Sequence, residues 1–163
     1  PTASPTFTGT ITLGGTTQLT ENFPILMDAA LSADGKWSAV VSETGTLGET
    51  VAFGEFVYLL AADSQWYKTD ADATATAGAV KVGVCVVAGN DNDSTQIMFE
   101  GKIRADSLFP ALTVGAPLYL STSPGAITHT APSGTDDVVR IIGYANTGDE
   151  VFVNITNEYI IHV

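Results

Sequence analysis

Short apolar runs rich in Val, Ile, Phe and Tyr follow one another along most of the chain, separated by turns rich in Gly, Asn, Asp and Pro. Branched and aromatic residues fit the pleated surface of a strand. Many such runs, with a turn roughly every 8–12 residues, are typical of β-sandwiches and small barrels. The pattern therefore predicts an all-β fold, either a small sandwich or a barrel.

One strand–turn–strand pattern occurs twice. Val51–Thr69 aligns with Leu112–Thr130, and Gly54 falls on Gly115 at a constant offset of 61 residues (115 − 54 = 61). Each copy combines an apolar run, a turn and a short returning run, which predicts a hairpin. The glycine ahead of each first strand predicts a sharp entry or bulge, where a residue without a Cβ atom is favoured.

The runs that follow the two hairpins also correspond. Val80–Ala88 and Thr95–Arg104 come after the first hairpin, and Val138–Ala145 and Glu150–Ile155 come after the second. Self-similarity along a chain indicates a domain built by repetition of one unit. The sequence therefore predicts internally repeated hairpins within one β-sandwich or barrel domain, residues 51–163.

The first 24 residues form a different kind of segment. Between Phe7 and Leu13 threonines alternate with Phe, Gly, Ile and Leu, which is the two-residue period of a half-buried strand. A lone strand with so narrow an apolar edge is not stable in water, and a copy of itself from another chain would supply the missing neighbour. We interpret residues 1–24 as the end of an extended stalk. Because the chain opens on Pro1 rather than Met, we expect a fragment or a processed form.

The segment between the stalk and the domain, residues 25–50, contains Asp34-Gly35, the strongest two-residue turn signal in the chain. This dipeptide favours a tight hairpin turn. It predicts a hairpin that pairs Ala29–Ala33 with Lys36–Val41. The Gly- and Thr-rich stretch that follows, Ser42–Thr50, is predicted to be a linker.

Composition and charge narrow the classes of partner. The chain has 18 acidic and 6 basic residues and a formal net charge of −12. Nucleic acids and anionic membranes attract clustered Lys and Arg, so we expect neither nucleic-acid binding nor membrane insertion. The single cysteine, Cys85, allows no intrachain disulfide, so the fold must be held by packing.

Two acidic residues are the best candidate metal ligands. Asp91 and Asp93 lie in Asn90–Ser94, a composition similar to that of a calcium loop, because Ca²⁺ binds several carboxylate and carbonyl oxygens. The loop lacks the glycine at the sixth position and the distal glutamate of a helix–loop–helix calcium site. Asn and Asp equally favour a hairpin turn. A weak Ca²⁺ site and a plain turn are therefore the two interpretations of this loop.

Catalytic signatures are scarce. His129 and His162 are the two histidines of the chain, and they lack the spacing of a metalloenzyme. The sequence has neither a GxSxG elbow nor a phosphate-binding glycine loop. His129 stands where the first hairpin has Lys68, which predicts an exposed strand position. We therefore expect that the protein is not an enzyme.

Three aromatic residues are candidates for surface recognition. Trp37 and Trp66 each follow a predicted hairpin turn, and Tyr67 comes directly after Trp66. This placement predicts that part of each ring lies near the surface, where aromatic faces can pack against sugar rings. Packing in the core is the alternative role for these large apolar side chains.

Two parts of the sequence resemble known proteins. The opening ten residues, PTASPTFTGT, resemble a segment of the form A-S-P-x-F-T-G-T that recurs in bacteriophage fibre proteins, in the shaft or just ahead of the next domain. The later part resembles a β-domain at the ends of phage tail fibres, head fibres and related virion proteins. The motifs that carry this second resemblance are Gly54–Leu59, Trp66–Ala73, Gly101–Arg104, Gly115–Leu120 and Ile142–Ala145.

The resemblance implies a homotrimer that belongs to the virion and contacts other virion proteins, and it brings no catalytic residues. The leading hypothesis is the distal part of a trimeric fibre that contacts a glycan or receptor on the host cell surface. A capsid decoration or head-fibre protein anchored on the phage shell is the alternative. A depolymerase that acts on surface polysaccharide is the third hypothesis.

Overall fold

Strands account for nearly all the regular structure of this chain. The structure, a computed structural model, describes residues 30–109 and 111–163. The strands are β1 (Trp37–Thr46), β2 (Phe56–Leu60), β3 (Gln65–Lys68), β4 (Val82–Cys85), β5 (Ser94–Arg104), β6 (Pro117–Leu120), β7 (Ile127–Thr128), β8 (Val138–Val139), β9 (Ile141–Ala145), β10 (Glu150–Asn154) and β11 (Ile160–Ile161). The described helix is the single turn α1 (Thr74–Ala77). The predicted all-β class is confirmed.

Nine of the strands form one antiparallel sheet. Eight follow the order β3-β2-β4-β5-β10-β9-β6-β7, and this path curls into a half-barrel. β1 pairs with β5 along almost its whole length, from Trp37 opposite Ile103 to Thr46 opposite Ser94. β8 and β11 form a separate two-stranded ladder.

The internal repeat is present in the strand pairing. In the first hairpin Tyr58 lies opposite Tyr67, and in the second Tyr119 lies opposite Thr128, with the same offset in both strands (119 − 58 = 61 and 128 − 67 = 61). Each hairpin then pairs its first strand with a third strand, and the third with a fourth, as β2-β4-β5 and β6-β9-β10. The two halves are therefore two copies of one four-strand unit. They join along β5 and β10, which pair from Arg104 opposite Glu150 to Glu100 opposite Asn154.

Both glycines of the repeat adopt a backbone conformation that other residues disfavour. The φ angle is +88° at Gly54 and +78° at Gly115. This left-handed region costs an L-residue about 1–2 kcal/mol, because its Cβ atom approaches the following carbonyl oxygen. The predicted sharp entry into each hairpin is confirmed.

Alanine at the two glycines is expected to destabilise the protein unequally. A Cβ atom at Gly115 meets nothing within 4 Å, whereas one at Gly54 lies 3.1 Å from Cβ of Ala105 and 3.2 Å from Cδ2 of Leu108. Both variants bear the backbone strain, so we expect losses of about 1 kcal/mol for Gly115→Ala and about 2 kcal/mol for Gly54→Ala. Urea denaturation of the two variants measures the difference. Equal losses would contradict the close packing around Gly54.

Two hydrophobic cores lie on opposite faces of the first unit. Phe56 belongs to one and its neighbour Val57 to the other, as expected because successive strand residues point to opposite faces. The main core draws on both units and includes Phe56, Val84, Met98, Leu118, Ile142 and Val153. The second core consists of Leu47, Val51, Val57, Trp66, Cys85 and Ile97.

The segment before the first unit differs from its prediction. Gly35 does adopt a turn conformation, with φ of +71°, but residues 30–33 form no strand, and β1 pairs with β5 instead. The predicted linker, Ser42–Thr50, continues β1 as far as Thr46 and then buries Leu47 completely. The apolar strand β5 offers a longer partner than a local hairpin could. The predicted stalk, residues 1–24, lies outside the described residues.

Candidate functional site

Trp66 is a core residue, so its predicted surface role is wrong. Its side chain is 2% exposed and lies in the second core. The ring occupies the space above Gly45, where any Cβ atom would collide with it. Gly48 covers the strand edge, since its N–H donates a 2.9 Å hydrogen bond to the carbonyl of Trp66. A tryptophan next to a hairpin turn is exposed only when no other segment of the chain covers it. Here residues 45–48 cover Trp66.

Trp37 is half-buried at the start of β1 and packs against the main core. Part of its surface is therefore used for folding. His129, predicted to be exposed, is exposed just after β7, as is its neighbour Thr130.

Tyr67 is the predicted recognition residue with a polar setting. Its hydroxyl donates a 2.7 Å hydrogen bond to Oδ2 of Asp63 and lies 3.4 Å from Oε1 of Gln65. Its ring covers Gly48, and the ring of Tyr58 lies 6.2 Å away between centroids. We call Tyr58, Asp63, Gln65 and Tyr67 the Tyr67 corner.

The hydrogen bond to Asp63 raises the pKa of Tyr67 from its ordinary value of 10.0 to about 12, with smaller contributions from burial and from the charges of Asp63 and Asp91. A folded-state pKa above the unfolded one means that the neutral phenol stabilises the fold below pH 10, and this contribution is lost as the pH rises towards about 12.

Removing the carboxylate of Asp63, which accepts the hydrogen bond, should lower the pKa of Tyr67 towards its ordinary value. We expect Asp63→Ala to lower the pKa of Tyr67 from about 12 by clearly more than Asp91→Ala, because Asp63 accepts a 2.7 Å hydrogen bond from the hydroxyl whereas Asp91 acts through its charge. The phenolate absorbance as a function of pH gives the value, and Tyr67→Phe identifies which titration belongs to this residue. Equal shifts in the two Asp variants would show that charge rather than the hydrogen bond sets the pKa.

The loop with Asp91 and Asp93 is a turn closed by its own side chain. Oδ2 of Asp93 accepts a 2.8 Å hydrogen bond from the N–H of Asn90. Asn92 has a φ of +66°, and its N–H donates to the carbonyl of Leu47 at 2.8 Å. Within residues 30–109 and 111–163, no three His, Cys, Asp or Glu side chains come together as a metal site would require. Residues 91–92 form the predicted turn, and Asp93 closes it.

A carboxylate that the sequence did not single out fastens the start of the described chain. Glu150, the first residue of β10, is 1% exposed. Its Oε2 accepts a 2.5 Å hydrogen bond from the N–H of Leu31, and its Oε1 accepts one of 2.9 Å from Nδ2 of Asn146. Nζ of Lys102 lies 4.0 Å from Oε1. The buried carboxylate therefore has partners on both oxygens.

The opposite residue, Arg104, fastens the same segment with its backbone and its side chain. Its Nη1 donates to the carbonyl of Leu31 at 3.2 Å. Its carbonyl accepts from the N–H of Gly35, and its N–H donates to the carbonyl of Lys36, both at 3.0 Å. We call residues 31–36 the leading strap. The strap is thus tied to both members of one residue pair, Arg104 and Glu150, where the two units join.

Two carboxylates hold Arg104 in this position. Its Nε lies 2.7 Å from Oδ1 of Asp106, and its Nη2 lies 2.9 Å from Oδ2 of Asp149. The hydrogen bond from Arg104 lowers the pKa of Asp106. The N–H of Asp106 in turn donates to Oδ1 of Asp34 in the strap at 2.9 Å. Asp106 and Asp149 therefore fix the orientation in which the guanidinium donates to the carbonyl of Leu31.

Arg140 is a second buried ion, and its partners are carbonyl groups. It is 1% exposed, and its guanidinium donates to the carbonyls of Ala77, Gly78 and Val80 in the first unit and of Thr156 after β10. Burial lowers its pKa from the ordinary value. A lone Arg in the apolar run Val138–Ala145 was a visible signal for such a role.

Comparison with known proteins adds no family to these observations. No protein-family model matches the chain, and no curated protein matches it. No helix among the described residues is long and apolar enough to cross a membrane. The geometry offers two features for function, the leading strap and the Tyr67 corner.

Proposed function

We propose that this protein is a structural component of a bacteriophage virion, the distal part of a trimeric fibre that contacts the host cell surface. The resemblance of its opening residues and later motifs to fibre proteins suggests this role. The leading strap is the structural observation that carries the proposal.

A domain carried at the end of a stalk receives all mechanical load through its leading segment. The strap meets this need, because Leu31 is tied by its N–H to Glu150 and by its carbonyl to Arg104. These two residues are opposite each other on the central strands β5 and β10. Force on the strap would therefore reach the middle of the sheet and both units at once, rather than an edge strand that could peel away.

The Tyr67 corner is the surface that we assign to host contact. Its tyrosine rings supply apolar faces, and Asp63 and Gln65 supply hydrogen-bonding groups beside them, the combination that a sugar ring requires. Three copies on one fibre would multiply a weak contact at each corner, so that a shallow site suffices. Trp66 is excluded from this surface because it is buried.

Antibody labelling of intact particles tests the proposed position. We expect label at the tips of fibres, and purified protein should compete with adsorption of the phage that encodes the chain. Tyr67→Ala should weaken that competition, and Val114→Ala, at a site 66% exposed outside the corner, should not. Label spread over the shell would favour the capsid decoration or head-fibre alternative. New reducing ends from host polysaccharide would indicate a depolymerase.

A further inference from the structure

An amine, a primary amide and a buried carboxylate come together where the two units join. Oε1 of Glu150 accepts a 2.9 Å hydrogen bond from Nδ2 of Asn146, and Nζ of Lys102 lies 4.0 Å from the same oxygen. The side chain of Glu150 is 1% exposed, and that of Lys102 is 13% exposed. These three groups are the ones needed to form an amide bond between two side chains.

The sheet register places Lys102 and Glu150 on one face. Lys102 lies on β5 opposite Phe152 of β10, and Glu150 comes two residues before Phe152, so both side chains point the same way from adjacent strands. Asn146 directly follows β9, and its N–H donates a 2.8 Å hydrogen bond to the carbonyl of Glu150. Lysine and asparagine therefore approach the carboxylate from opposite sides of β10.

The amine of Lys102 has a short distance to travel to the amide. Nζ and Nδ2 both lie beside Oε1 of Glu150, so the two nitrogens are separated by less than two strand spacings of about 4.8 Å each. Rotation about the bonds of the flexible four-carbon stem can move Nζ towards Cγ of Asn146. Because the fold holds the amine and the amide together, they react at a high effective concentration.

Burial and the bound amide distinguish this cluster from the other two lysine–glutamate pairs of the described residues. Lys81 and Glu43 pair near the surface, and Lys68 and Glu55 pair at a half-buried position. Within residues 30–109 and 111–163, neither Glu43 nor Glu55 accepts a hydrogen bond from a side-chain amide. Glu150 meets both conditions, and a site that excludes water strengthens the polar interactions that assist a reaction.

We propose that Lys102 and Asn146 form an isopeptide bond within the chain, with Glu150 as the catalytic base and acid. Glu150 accepts a proton from the ammonium of Lys102, and the resulting amine attacks Cγ of Asn146. Glu150 then donates this proton to Nδ2, the Cγ–Nδ2 bond breaks, and ammonia leaves and takes up the surplus proton of Nζ. An ammonium and a primary amide thus become a secondary amide and an ammonium ion, and Glu150 is regenerated.

The bond would lock the two units together. Lys102 lies on β5 of the first unit, and Asn146 lies between β9 and β10 of the second. The link would therefore cross the junction next to Glu150, the residue that also fastens Leu31 of the leading strap. The proposal follows from these contacts and does not rest on the proposed fibre.

Mass spectrometry of the purified, denatured full chain tests the bond. The wild type should weigh one ammonia less than its sequence requires. Lys102→Arg should have the full mass, because a guanidinium keeps the positive charge beside Glu150 but stays protonated and cannot attack. Glu150→Gln should also have the full mass. Lys81→Arg is the matched control and should retain the loss, since Lys81 pairs with Glu43 instead. Circular dichroism checks that the variants fold.

Trypsin digestion of the denatured protein locates the bond. Trypsin does not cleave after an acylated lysine, so the digest should contain residues 82–104, uncut after Lys102, joined to residues 141–163. A wild type of full mass overturns the proposal. An ammonia loss that persists in Lys102→Arg also overturns it, because that loss would come from an asparagine that cyclises onto its own backbone. Either result leaves the fibre proposal standing, since virion labelling tests that proposal separately.

Discussion

Replacing Arg140 with methionine is expected to destabilise the protein by about 4 kcal/mol, a larger loss than we expect from replacing either repeat glycine or Glu150. The guanidinium is 1% exposed and donates to four main-chain carbonyls, at distances from 2.7 to 3.1 Å. Methionine fills a similar volume but donates nothing. The carbonyls would then lose the guanidinium as a donor, although that of Gly78 keeps the N–H of Val80 and Thr156 is exposed. The loss costs about 1–3 kcal/mol for each carbonyl that neither water nor another donor can reach.

The consequence extends beyond one side chain, because Arg140 connects distant parts of the chain. Ala77, Gly78 and Val80 belong to the segment around the end of α1, and Thr156 follows β10 in the second unit. We expect Arg140→Met to loosen the two segments together. Hydrogen exchange should therefore accelerate in both, and not only near the substituted residue.

Two control variants separate hydrogen bonding from charge. Arg140→Lys keeps the positive charge but has one ammonium in place of a planar fork, so we expect a loss of about 2 kcal/mol. Lys36→Met removes one positive charge at an exposed site, and its cost should stay below about 0.5 kcal/mol. Urea denaturation gives all three values. A cost below about 1 kcal/mol for Arg140→Met would mean that water replaces the guanidinium at these carbonyls.

Local patterns predicted the parts of the fold that local contacts determine. The sequence predicted both hairpins, their register offset and the special glycines Gly54 and Gly115. It could do so because a hairpin pairs residues that are close in sequence. The sequence did not predict which strand pairs with β1, because Trp37 pairs with Ile103 across 66 residues (103 − 37 = 66). The turn at Asp34-Gly35 is real, yet a turn does not specify which strand lies beyond it.

The candidate site shows the same limit. Trp66 follows a turn, and only the three-dimensional arrangement places Gly45 beneath its ring. Glu150 looked like an ordinary first residue of a strand, since its partner Leu31 lies 119 residues away. Asp93, by contrast, acts within its own turn, and its composition indicated that role. Sequence reasoning located turns and repeats, whereas the buried charges needed the contacts between distant segments.

Glu150 connects the fold to the proposed function, and its removal should release the leading strap. Glu150→Ala takes away the acceptor for the N–H of Leu31 and for Nδ2 of Asn146, and it leaves Lys102 without the carboxylate 4.0 Å from its Nζ. Breaking one partner out of a buried polar cluster costs about 2–3 kcal/mol. We expect that loss to appear mainly as local opening of the strap, because the main core does not include Glu150.

Trypsin cleavage after Lys36 reports this opening, because Lys36 lies in the strap and its carbonyl accepts a 3.0 Å hydrogen bond from Arg104. A strap weakened by about 2 kcal/mol should be cut roughly 30-fold faster when opening and closing are rapid. Glu158→Ala is the control, since it removes an exposed carboxylate that does not contact the strap. Unchanged cleavage in Glu150→Ala would mean that Arg104 alone holds the strap. Load entering at Leu31 would then pass to β5 and the first unit rather than to both units, and the structural basis of the proposed fibre attachment would be lost.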